Sequence, residues 1–157
     1  MIKNDTLPKP EHFGENTVPA FGYELIRNVL LPELLGKEEA SILYWSGRKI
    51  AHLYPQASEE ALTDFFQKAG WGNLSLTERG KNKIIFELNS PLVDARIKDH
   101  PATVLFTMEA GFLAEQVQTI HGYIAETYSD IRTGHHKKVI FTVKWDSRDA
   151  VDAADTH

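Results

Sequence analysis

The sequence predicts an α+β domain in which a helical layer packs on one face of a four-stranded antiparallel sheet. Three observations carry that prediction. Through the first half of the chain, apolar residues recur at spacings of three and four, the period of a helix. From Leu74 onward the period shortens to two, and the short alternating segments flank turn residues, as hairpins do. Helices in a run followed by strands in hairpins select an antiparallel sheet covered on one side. The length agrees. A chain of 157 residues, 42% apolar and 25% charged, suits one globular domain that buries roughly 68–70% of its unfolded surface.

Residues 1–19 hold Pro8, Pro10 and Pro19 among polar residues and read as a flexible arm. From Ala20 to Leu35, Tyr23, Ile26, Leu30 and Leu34 form one helical stripe. Phe21, Leu25, Val29 and Leu31 widen it, so this helix is expected to be mostly covered. Pro32 lacks the N–H of the helical ladder and predicts a kink or restart, and Gly36 suits a C-terminal cap. A second helix, about Lys37 to Leu53, is expected to turn Ile42, Trp45, Lys49 and Leu53 inward with Leu43 and Ile50, and Pro55 stops it. Ser58 reads as the N-cap of a third helix with Glu59 and Glu60 in its positive first turn. Leu62, Phe65, Phe66 and Ala69 give that helix its buried side, and Gly70 ends it.

Leu74 and Leu76 open the first hairpin, Arg79-Gly80-Lys81-Asn82 turns it, and Ile84, Phe86 and Leu88 return. Ser90-Pro91 starts a short helix carrying Leu92, Val93 and Ile97. A fourth long helix is expected over about Glu109 to Glu126, with Phe112, Leu113, Val117 and Ile120 facing in. The second hairpin runs from Tyr128 to Arg132, turns at Thr133-Gly134, and lines up Val139, Phe141, Val143 and Trp145 on one face. The main domain is therefore residues 20–146. Residues 147–157, small and acidic, read as a disordered tail.

Composition narrows function. With no cysteine there is no disulfide, thiolate nucleophile or cysteine metal site. A net charge of −5 argues against nucleic acid, whose phosphates need Lys and Arg. No apolar run approaches the roughly 20 residues of a membrane span, and the N-terminus has no secretion signal. The expectation is a cytoplasmic protein without membrane insertion. Catalytic signatures are missing. Gly70-Trp71-Gly72 sits between helix and strand in the order opposite to a phosphate loop and lacks a third glycine. Ser46 has Tyr44 where a nucleophile elbow needs glycine, and is expected to let two helices approach instead.

No metal site or cofactor is expected. His52 and His121 have no second ligand three or four residues away, and His135-His136 falls in a basic turn. Glu109 suits a helix N-terminus. Glu115 and Gln116 flank the buried stripe and could bond across a groove or a dimer seam. Neither Glu115 nor His121 has a partner at a mechanistic spacing, so no catalytic residue is assigned and the chain is read as not an enzyme. The aromatic group of Tyr44, Trp45, Phe65, Phe66, Trp71 and Phe112 reads first as core. Arg48, one turn from Tyr44, gives the alternative: an apolar cavity with a polar handle, its ligand-binding residues being Tyr44, Trp45, Arg48, Trp71, Phe112 and Glu115.

Tyr23-Glu24-Leu25-Ile26-Arg27, the break Leu31-Pro32-x-x-Leu35-Gly36, Tyr44-Trp45-x-Gly47, Gly70-Trp71-Gly72, the run from Glu109 to Gln116 and Val143-Lys144-Trp145-Asp146 together resemble the YslB-like family of small bacterial proteins. The resemblance covers about Phe21 to Asp146. More remotely, the element order and the helix start Ala110-Gly111-Phe112-Leu113-Ala114 are similar to 4-vinyl reductase domains and to subunits of the TRAPP vesicle-tethering particle. That resemblance implies a twisted antiparallel sheet beneath helices, in proteins that bind small apolar ligands or form dimers and larger assemblies and are mostly not enzymes by themselves. Members that carry an acyl chain or a metal use cysteine, so those two activities do not transfer. The expectation is a non-enzymatic interaction or scaffold module, a homodimer through its helical layer. The alternative is a domain holding a small apolar ligand between helices and sheet.

Overall fold

In the computed structural model, which describes residues 6–152, four strands form one sheet. They are β1 (Asn73–Arg79), β2 (Lys83–Asn89), β3 (Tyr123–Arg132) and β4 (Lys138–Ala150), ordered β1-β2-β4-β3 with every neighbour antiparallel. The helices are α1 (Ala20–Glu24), α2 (Leu31–Leu35), α3 (Glu39–Leu53), α4 (Glu59–Lys68), α5 (Pro91–Asp99) and α6 (Thr107–His121). This is the predicted α+β architecture. The chain divides into two compact units, one ending at Glu39 and the other beginning at Ala40.

In the second unit, alternation decides which sheet face is covered. Leu74, then Ile84, Phe86 and Leu88, then Val139, Phe141 and Val143, then Ala125 and Thr127 are all buried. Register places them side by side, Ile84 opposite Val143, Phe86 opposite Phe141 and Leu88 opposite Val139. Helix α6 lies over β3 and β4, α4 over β1 and α5 over β2. On the other face, Tyr128 and Lys144 are exposed. Leu76, expected inside, is 37% exposed because it lies on an edge strand just before a bulge.

Helix ends follow the capping residues. Ser58 accepts from the Ala61 N–H and Ser90 from the Val93 N–H, so α4 and α5 begin where predicted. The fourth long helix ends earlier than its expected limit of Glu126. Gly122 adopts a left-handed conformation (φ 79°) after His121, and the chain enters β3 at once. Ile124 and Glu126 therefore belong to the sheet. Likewise β4 runs to Ala150 and takes in residues 147–150, which had read as tail.

In the first unit, a 3₁₀ turn spans Pro10–His12. Between α1 and α2, residues Leu25–Leu30 form a π-helical turn in which the Leu31 N–H reaches Ile26. Pro32 explains it: the proline has no N–H and crowds the preceding carbonyls, and a widened turn relieves both. The covering of this helix is corrected. Phe21, Ile26, Val29 and Leu34 are 74, 57, 61 and 68% exposed, while Arg27 is buried and Tyr23 half-buried. Residues 1–5 of the predicted arm and 153–157 of the predicted tail lie outside the described residues.

Candidate functional site

Helices α3 and α6 cross at two glycines. A Cβ on Gly47 would stand 1.9 Å from the Met108 carbonyl oxygen, and one on Gly111 the same distance from that of Tyr44. No larger residue permits this approach. The crossing sets the rotation of α3: Tyr44, Gly47, Arg48 and Ala51 turn inward, and Ile42 and Trp45 turn out, at 40 and 63% exposure. The expected inner face through Ile42 and Trp45 is thus corrected, and the close approach belongs to Gly47 rather than Ser46. Small residues chose the face, not large ones.

Arg48 and Tyr44, one turn apart, are aimed by that rotation at the edge strand β3. Arg48 Nη1 donates to Glu115 Oε2 at 2.9 Å, and Nη2 donates to the Ala125 carbonyl and lies 3.6 Å from Glu126 Oε1. The guanidinium stands 5.6 Å from the ring centres of both Tyr44 and Trp45. The Tyr44 hydroxyl donates to Glu126 Oε2 at 2.7 Å and accepts from the Thr127 N–H at 3.3 Å. Burial, with the bond to Glu126 second, pushes the Tyr44 phenol up to about 12, so it remains a donor. Gln118 accepts from the Ala125 N–H. Three backbone groups on the open edge of β3 are thus taken by side chains from α3 and α6, which protects that stretch from pairing with a stray strand.

The remaining predicted ligand residues stand elsewhere. Phe112, fully buried, stacks on Phe65 at 4.6 Å and meets Trp71 edge-on at 5.1 Å; Phe66 meets Trp71 at 5.1 Å and Phe112 at 5.8 Å. The rings fill one another's faces, as in a packed core. Tyr44, Trp45, Arg48 and Glu115 therefore form one group and Trp71 with Phe112 another.

Two polar residues have roles that spacing concealed. Gln116, 1% exposed, donates to the Tyr54 and Ala51 carbonyls and accepts from the Gln56 N–H, satisfying the backbone where α3 ends. His121 Nε2 lies 2.7 Å from Glu59 Oε1, and its ring stacks on Trp145 at 4.7 Å; Arg79 pairs with the other Glu59 oxygen. The partner of His121 lies 62 residues away, beyond any local motif.

Among the described residues no cluster of His, Asp and Glu could hold a metal ion, and no helix is long and apolar enough to cross a membrane. Comparison with known proteins agrees with the fold. A family model described as "Protein of unknown function (DUF2507)" matches residues 20–144. The chain belongs to that family. It is 40% identical over 141 residues to the uncharacterized protein YslB of Bacillus subtilis (strain 168), covering 90% of this chain and 94% of that one. A crystal structure of a vinyl-4-reductase family protein from Methanocaldococcus jannaschii superposes with a TM-score of 0.65 at 20% identity, over 88% of this chain and 89% of that chain. The likeness is one of fold.

Proposed function

We propose that this DUF2507 protein is a non-enzymatic interaction module whose working unit is two copies joined through the apolar helical face of residues 20–35. One observation carries the reading: this helix is inside out for a free surface. Its exposed side chains include Phe21, Leu25, Ile26, Val29, Leu30 and Leu34, with Glu33 the one charged side chain among the exposed residues of 20–35, and its covered ones include Tyr23, Arg27 and Asn28. The Arg27 guanidinium donates to the Tyr23 hydroxyl at 3.0 Å, and Asn28 bonds Glu24, so polar groups are satisfied on the inner side. Six exposed large apolar residues on one short segment make a patch of about 600 Å², the upper end of what a free monomer surface ordinarily carries. Shared between two copies, they would remove about 1,200 Å² in total from water, enough for a stable interface. A second copy is the simplest occupant, because a face of this kind complements itself about a two-fold axis.

Sedimentation equilibrium at micromolar concentration tests the reading. The expected mass is twice 17.8 kDa, falling to 17.8 kDa for Val29→Glu, whose side chain is 61% exposed and free to vary without harm to the fold. A wild-type chain that stays monomeric, or a Val29→Glu chain that still pairs as tightly, overturns it.

A further inference from the structure

We propose that the open end of β3 is a second self-association surface, where two copies pair β3 against β3 antiparallel about a two-fold axis at Ile131. The edge is handled differently along its length. Both outward backbone groups of Ala125 and the N–H of Thr127 are taken by Gln118, Arg48 and Tyr44. Register with β4 runs unbroken from Ala125 opposite Trp145 to Arg132 opposite Lys138, so the period of two turns the backbone of Ser129 and Ile131 outward as well. Among the described residues neither has a hydrogen-bond partner beyond the ladder, and no helix side chain reaches them.

The side chains then specify the occupant. Charged side chains, lysine above all, blunt an edge against pairing, except where opposite charges meet directly across the pair. Here Asp130 and Arg132, both exposed and bonded to each other at 2.9 Å, share the open sheet face two positions apart. Rotation about Ile131 sets Asp130 of each copy opposite Arg132 of the other, on the same face, and Ile131 opposite Ile131. Opposite charges directly across an antiparallel pair favour it, whereas like charges oppose it. The segment is self-complementary, and a second copy is the partner that fits.

The test is made in a chain carrying Val29→Glu, so that it reads the edge whether or not the helical face pairs. Sedimentation equilibrium up to several hundred micromolar should show dimers. Adding Asp130→Arg or Arg132→Asp should weaken them about tenfold or more, since each puts like charges across both cross-strand pairs. An equimolar mixture of those two variants should recover association, because their charges are complementary. A Val29→Glu chain that remains monomeric overturns the proposal. So do charge variants that associate unchanged, or a mixture no stronger than its components.

Discussion

Arg48 and Tyr44 show what one residue does here: each converts an exposed strand edge into a finished surface. Arg48→Met leaves the Glu115 carboxylate and the Ala125 carbonyl without their donor. It should cost about 3 kcal/mol of stability by urea denaturation, the lower end of the range for breaking a covered ion pair, because Glu115 keeps some solvent. Glu115→Gln, which retains an acceptor, should cost less. Tyr44 titrates instead. A phenol whose folded pKa lies above its ordinary value of 10 adds stability that is complete below pH 10 and is lost as pH climbs toward about 12. An ultraviolet titration of the five tyrosines should therefore contain one late step near 12, absent from Tyr44→Phe. Loss of an ordinary step near 10 in Tyr44→Phe, with any late step kept, would mean that the Tyr44 phenol is not held up by burial and its bond to Glu126. In sequence only half of this was visible. Arg48 stands one helical turn from Tyr44 and reads as the polar handle of a cavity lined by rings, Tyr44 among them, but the partners of both lie 67 to 83 residues away, at distances that local pattern does not encode.

At the scale of elements, periodicity was a good guide where burial is one-sided. The alternation of β2 and β4 and the caps at Ser58 and Ser90 all placed elements within a few residues. It misled where something other than large apolar residues sets the rotation. Helix α3 presents glycine to α6, and so turns Ile42 and Trp45 outward. Helix α6 stops at Gly122 although apolar residues continue beyond it, since a left-handed glycine ends a helix whatever follows. The crossing makes a sharp prediction. Gly47→Ala and Gly111→Ala each drive a methyl into the facing backbone and should cost at least about 2 kcal/mol in thermal or urea unfolding. Gly134→Ala, with open space around its Cβ position, should be close to neutral. Equal stability of all three would mean that the helices do not meet there.

For the whole molecule, the decisive feature is apolar surface that the chain does not cover by itself. The apolar stripe of residues 20–35 was legible in sequence, but its direction was not, because hydrophobic spacing is the same whether a stripe faces its own core or another chain. A cysteine-free chain allows a direct measurement of where that stripe goes, since any disulfide formed by a single introduced cysteine must join two copies. Mild oxidation of Val29→Cys at micromolar concentration should yield a covalent dimer far faster than oxidation of Glu60→Cys, an exposed position on α4. Equal rates at the two positions, or no dimer from Val29→Cys, would contradict pairing through the helical face.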